Sequence, residues 1–225
     1  LCPVGGADVA RRLADILGVE LEETVPMRAI VHCNANRDQR LAQSPYRGEP
    51  TCAAANMVAG IQGCAYGCLG LGDCHRSCNF DAIEMVNGLP RIDYDNCTGC
   101  GACVAACPRD IISLVPFKDK RMAAVACSNK DPGKLVRQVC RTGCIACRLC
   151  AKLNDSFEVV DDLARVKYDE YDAEAKDYDA PAAKCPTKVI VYAGAVPAEV
   201  VAEDAPAGEK PDPDSTAEHA PYREH

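Results

Sequence analysis

Cys97, Cys100, Cys103 and Cys107, with Pro108 behind them, read C-x2-C-x2-C-x3-C-P. Thiolates at that spacing hold a [4Fe–4S] cluster: the first three wrap one cube and the fourth reaches a neighbouring one. The chemistry of such residues is one-electron transfer. There are 17 cysteines in 225 residues, so the question becomes how many clusters they hold. The count is odd and the spacings are not those of a disulfide framework, which sets secreted, disulfide-stapled folds aside. Zinc ribbons use C-x2-C pairs separated by a long gap and fit this run poorly. Thiols on this scale point to a reducing compartment.

Cys78 follows Cys74 at the x3 spacing of a crossing ligand. The first expected cluster therefore takes Cys78, Cys97, Cys100 and Cys103. A second takes Cys64, Cys68, Cys74 and Cys107, although Leu71 stands where its middle cysteine belongs. A third takes Cys144, Cys147, Cys150 and Cys185. Cys33, Cys52, Cys127 and Cys140 remain. They form a fourth cluster, or they are small buried hydrophobes beside the others. Cys33 or Cys52 can also replace Cys64 in the second set. At least three [4Fe–4S] clusters are expected. His32 and His75 adjoin cysteines without the spacing of a two-His Rieske centre, and read as hydrogen-bonding neighbours or surface residues. In Gly70-Leu71-Gly72 a dinucleotide loop would need its third glycine where His75 stands. No flavin or nicotinamide site and no catalytic residue is assigned.

The elements that must position these thiols repeat. Ala29-Ile30-Val31-His32-Cys33 resembles Ala123-Ala124-Val125-Ala126-Cys127. Cys64-x3-Cys68-x5-Cys74 matches Cys140-x3-Cys144-x5-Cys150, and Cys107-Pro108 is echoed by Cys185-Pro186. Each unit is a strand ending in Cys, a cysteine loop, and a Cys-Pro that leads into a strand. The expected class is α+β, with two tandem ferredoxin-like modules over residues 26–117 and 118–196. The second is degenerate: Asn154 occupies the crossing position, and 168–184 holds no cysteine. Its Tyr and Asp residues suggest a solvated loop. Asn87-Gly88 between apolar runs predicts a hairpin with a type I′ turn. Residues 1–25 end an N-terminal segment in which Val9, Leu13, Ile16 and Leu17 share one helical face and Gly18 stops the helix. Residues 197–225 read as a disordered acidic Pro/Ala tail.

Net charge is −8, but it is uneven. Residues 118–152 carry nine Lys/Arg against two Asp, and 153–225 carry 18 acidic against seven basic residues. The basic stretch either offsets cluster charge or receives an acidic partner such as a soluble ferredoxin. An acidic chain without interleaved aromatics does not suit nucleic acid. No apolar run of about 18 residues occurs to span a bilayer.

Gly67-Cys68-Leu69-Gly70-Leu71-Gly72-Asp73-Cys74, Cys78-x-Phe80-Asp81-Ala82-Ile83 and Gly143-Cys144-Ile145-x-Cys147 together resemble the B-type, electron-transfer iron–sulfur subunit of the Rnf complex, an ion-translocating ferredoxin:NAD+ oxidoreductase of bacterial membranes. The resemblance implies an electron relay on the cytoplasmic face of the cell membrane. It would take electrons from soluble ferredoxin and pass them to flavin- and iron–sulfur-bearing partner subunits, with Na+ or H+ moved outward. The chain would be part of that translocase without a complete active site of its own. It also implies that Cys2, in Cys2-Pro3-Val4-Gly5-Gly6, closes an N-terminal cluster whose other ligands, with a membrane anchor, precede Leu1. The competing expectations are a soluble polyferredoxin serving a hydrogenase or disulfide reductase, and a zinc scaffold.

Overall fold

The computed structural model describes residues 5–20 and 25–194. Cys2 and the acidic tail lie outside them. The described cysteine-bearing part belongs to one compact unit.

The same frame is built twice. In the first half, β1 (Met27–Val31) pairs antiparallel with β4 (Ile112–Pro116), Met27 opposite Pro116 and Val31 opposite Ile112. Between them comes the hairpin β2 (Ile83–Val86) and β3 (Leu89–Ile92). Its turn residues Asn87 and Gly88 have φ of 46° and 70°, the pair of left-handed positions that a type I′ turn requires. In the second half, β5 (Arg121–Val125) pairs with β8 (Ile190–Gly194), and β6 (Phe157–Val160) with β7 (Leu163–Val166). Strand by strand the inward and outward positions of the two hairpins coincide. Alternation of period two is what lets such a short strand bury one face.

Short helices close the cysteine loops. They are α2 (Cys52–Asn56), α3 (Asp73–Arg76) and α4 (Ala102–Ala106) in the first half. In the second they are α5 (Gly133–Val139), α6 (Leu149–Leu153) and α7 (Asp179–Lys184). α1 (Gly6–Leu17) stops at Gly18, whose φ of 65° suits a left-handed cap. Its Leu13, Ile16 and Leu17 are exposed. Among the described residues no helix is long and apolar enough to cross a membrane.

Each half has its own core. Ile83, Leu89, Ile111 and Ile112 pack with four cysteines in the first. Met122, Val125, Phe157, Leu163, Tyr171, Tyr178 and Val189 pack with others in the second. The halves are tied at a seam. Leu41 N–H donates to Val139 O (2.9 Å) and Arg141 N–H to Gln39 O (3.0 Å). His32 Nδ1 bonds Val125 O at 2.9 Å, and its Nε2 faces Ser113 Oγ at 2.7 Å. A carbonyl can only accept, so Nδ1 carries a proton. Burial holds the His32 pKa below the usual imidazole range, which favours the neutral ring.

Candidate metal centres

Sixteen cysteines lie among the described residues, and all are free of disulfides. They line four cavities, four to each. Cys78, Cys97, Cys100 and Cys103 face one of about 330 Å³. Cys144, Cys147, Cys150 and Cys185 face another of about 350 Å³. Both groupings are those expected from spacing. The 68–74 loop differs: its cavity, also about 350 Å³, is lined by Cys68, Cys74 and Cys107 with Cys52 in the fourth place. Cys64 points elsewhere. It joins Cys33, Cys127 and Cys140 around a cavity of about 410 Å³ on the seam between the halves. The set Cys64, Cys68, Cys74 and Cys107 is therefore not brought together, and neither is Cys33, Cys52, Cys127 and Cys140. Cys52 and Cys64 trade places.

Local structure explains the trade. Thr51 caps α2, its hydroxyl accepting from Ala54 N–H. The Asp73 carboxylate accepts from Cys52 N–H (2.9 Å) and Ala53 N–H (3.0 Å). Asp73 immediately precedes Cys74, so this clamp carries Cys52 to the place that Leu71 leaves without a thiol. Cys64 is drawn the other way by Asn129, whose side-chain amide donates to its sulfur at 3.3 Å across the seam. The register of the repeat contained this signal. It pairs Cys33 with Cys127 and Cys64 with Cys140, and a site on the axis between two halves needs whole pairs. Cys52 has no counterpart in the repeat.

Among the described residues no three His, Cys, Asp or Glu side chains converge closely enough to hold a single ion. Four cysteines lining one cavity suit an inorganic core larger than a single ion. Two further observations match a cluster bearing sulfide acceptors. Thr98 Oγ1 and Arg109 Nε are buried without a hydrogen-bond partner among the described residues. Thr98 lines the 97–103 cavity and Arg109 the 68–74 cavity. Buried donors without partners are rare in native proteins and mark a group that supplies the acceptor. Gly99, with φ of 70°, lets its loop press on β1: a Cβ there would stand 2.2 Å from Met27 O.

Without iron, burial favours the protonated thiol at several of these positions. Burial pushes Cys68, Cys74 and Cys127 up to about 12 and Cys103 and Cys150 up to about 11, and the like charge of other cysteines adds to it. Ligation must therefore expel protons.

The four sites form a series. α3, which carries Cys74, packs against α4, which carries Cys103, and so links the 68–74 site to the 97–103 site. Gly67 lines the seam cavity and its neighbour Cys68 the 68–74 cavity, which links these two. Cys144 N–H donates to Cys127 Sγ at 3.3 Å, which joins the seam to the 144–150 site. Of the sixteen cysteines only Cys100 and Cys147 are exposed, and they lie in the first and last sites of that series.

The cysteine-free stretch of the second half is not the solvated loop expected. Tyr171 and Tyr178 are only 4% and 5% exposed, with rings stacked at 4.2 Å. Pro181 is fully buried on α7. His75 is exposed, and His32 is a tie across the seam.

A 4Fe-4S binding domain model matches residues 90–113, which include the 97–103 run. The chain is 39% identical over 173 residues to the B-type subunit of the Na(+)-translocating ferredoxin:NAD(+) oxidoreductase complex of Acetobacterium woodii, covering 75% of this chain and 51% of that protein. It thus spans about half the length of that relative. It is 35% identical over 193 residues to the B-type subunit of the ion-translocating oxidoreductase complex of Methanosarcina acetivorans, covering 84% of this chain and 71% of the relative. It is 40% identical over 194 residues to the B-type subunit of the proton-translocating ferredoxin:NAD(+) oxidoreductase complex of Clostridium ljungdahlii, covering 84% and 67%. Likeness of this depth over most of the chain, together with the cysteine sites, shows that the chain belongs to the family of B-type subunits of Rnf-type ion-translocating oxidoreductase complexes.

Proposed function

We propose that this chain is an iron–sulfur electron relay of such a complex, built from two tandem ferredoxin-like modules that hold four [4Fe–4S] clusters in line. The ligand sets are Cys78/Cys97/Cys100/Cys103, Cys52/Cys68/Cys74/Cys107, Cys33/Cys64/Cys127/Cys140 and Cys144/Cys147/Cys150/Cys185. The single observation that carries this reading is the sorting of sixteen cysteines into four cavities of four, with an exposed cysteine in the two end sites alone. The clusters supply one-electron chemistry when bound. The chain supplies the thiolates, backbone and side-chain N–H groups directed at sulfur, and burial that keeps water from the inner pair.

The 144–150 end fits soluble ferredoxin as electron donor. Lys134, Arg137, Arg141, Arg148 and Lys152 are exposed on or beside α5 and α6, and Leu135, Leu149 and Leu153 are exposed among them. An apolar patch inside a basic rim, next to an exposed ligand, suits an acidic electron carrier. Electrons would leave from the Cys100 end toward flavin- and NAD+-reducing partner subunits, the step coupled to Na+ or H+ transport. Membrane association on the cytoplasmic side follows from that assembly.

Iron and acid-labile sulfide, counted with EPR of the reduced chain, test the relay. About sixteen iron atoms per chain are expected. Cys64→Ser should remove one cluster, with the 68–74 signal intact. Loss of that signal instead would return Cys64 to the 68–74 site. Charge reversal at Arg137, Arg141 and Arg148 should slow reduction by ferredoxin about tenfold or more at low salt, and less at high salt. A rate that ignores both charge and salt would remove this docking face.

A further inference from the structure

Arg40 is only 8% exposed. Among the described residues no carboxylate forms an ion pair with it. Its Nε donates to Ala35 O at 2.9 Å and one terminal nitrogen, Nη2, donates to Gly88 O at 2.6 Å. Those carbonyls hold the guanidinium in place but do not balance its charge. A buried cation without a counterion is costly, and arginine cannot escape by losing its proton.

Two negative centres are within its reach once the sites are filled. Arg40 lines the seam cavity together with Cys33, Cys64, Cys127 and Cys140. Its other terminal nitrogen, Nη1, lies against Gly70, where a Cβ would come within 2.9 Å of it. Gly70 belongs to the loop between Cys68 and Cys74, and its φ of 77° is one that glycine adopts without strain. The guanidinium therefore stands between the two inner sites of the series.

We propose that Arg40 is the shared countercharge of the 68–74 cluster and the seam cluster, a positioning residue that raises the reduction potential of both. The inference rests on the four-cluster reading above. A thiolate-ligated cluster is negative, and each electron added makes it more so. A fixed positive charge therefore favours the reduced form over the oxidised one. Net charge and solvent exposure are among the quantities that set such potentials. Neither of the two ligand sets beside Arg40 holds an exposed cysteine, and exclusion of solvent by itself makes a cluster harder to reduce. A cation between them offsets that penalty where the relay would otherwise face an uphill step.

The test is a potentiometric EPR titration of the full, cluster-loaded chain as wild type, Arg40→Gln and Arg40→Lys. Iron and sulfide are counted first. A wild-type chain short of about sixteen iron atoms would undo the four-cluster reading itself. With the full complement present, Arg40→Gln should lower two of four midpoints by about tenfold in the one-electron equilibrium, which is about 59 mV. The other two should stay fixed, and Arg40→Lys should keep most of the wild-type value. Four unmoved midpoints in a fully loaded Arg40→Gln chain would overturn the proposal. So would a lysine variant as low as the glutamine one, because then the bonds to Ala35 and Gly88 matter and the charge does not. If Arg40→Gln fails to load, the lysine variant decides alone: wild-type midpoints support the countercharge, and two lowered midpoints refute it.

Discussion

The 97–103 site and its counterpart in the second half share a backbone and differ in what fills it. In the first half Asp93 N–H donates to Ala82 O at 2.8 Å; in the second, Lys167 N–H donates to Ser156 O at 2.8 Å. Four residues beyond each donor stand Cys97 and Tyr171. Four residues before each Cys-Pro stand Cys103 and Pro181, and four after Cys74 and Cys150 stand Cys78 and Asn154. Where one half offers thiols, the other offers two stacked tyrosines, a buried proline and an asparagine. The plug is closed by hydrogen bonds. Tyr171 OH accepts from Ala123 N–H at 2.8 Å. Tyr178 OH meets Ser156 Oγ at 2.9 Å, Asn154 Nδ2 donates to Asp177 O, and Ser156 N–H donates to Asn154 Oδ1, the last two at 2.8 Å. The lesson is that this frame closes without metal. Cysteines kept in the other four cavities are thus not demanded by the frame alone, which strengthens the case that their work is redox work.

That contrast can be broken by experiment. The largest effect is expected from Tyr178→Ala. Removing a buried ring that stacks and hydrogen-bonds should cost about 3–5 kcal/mol in unfolding of the loaded chain, with iron content at the wild-type level. Loss of iron instead would mean that the plug supports the 144–150 site and is no independent substitute for metal.

A smaller effect is expected from Tyr171→Phe. It leaves Ala123 N–H buried without an acceptor, at a cost of about 1–3 kcal/mol at neutral pH. The same phenol has a pH signature. Burial pushes Tyr171 up to about 12 from 10.0. A raised pKa means that its share of stability is complete below pH 10 and lost as pH climbs toward 12. Denaturation across pH 9 to 12 should therefore fall less steeply in the phenylalanine variant. Parallel curves would show that the phenol titrates as it does in the unfolded chain.

Much of this was legible in the sequence, for reasons that can be named. Regular spacing brings Cys97, Cys100 and Cys103 together because a short loop around one cavity is a local event, and the same holds for Cys144, Cys147 and Cys150. The Asn87-Gly88 turn was readable because glycine and asparagine tolerate positive φ. Its twin was not: Asp161 and Asp162 turn the β6–β7 hairpin with φ of 51° and 56°, and neither is the glycine that marks such a turn. The exchange of Cys52 and Cys64 was one of the alternatives the spacing left open, and spacing alone could not decide it. Cys52 stands sixteen residues before Cys68, and only the Asp73 clamp on α2 brings it near. Buried tyrosines were misread because Asp169, Asp172, Asp177 and Asp179, interleaved with them, dominate the local composition.

The seam cavity draws two cysteines from each half, and its walls come from both. A chain cut anywhere between Cys64 and Cys127 would leave each fragment with half a ligand set that it could not complete. On the four-cluster reading, the two like halves are thus a single indivisible carrier. Neither copy can be transplanted, shortened or replaced without emptying a site that its twin also needs.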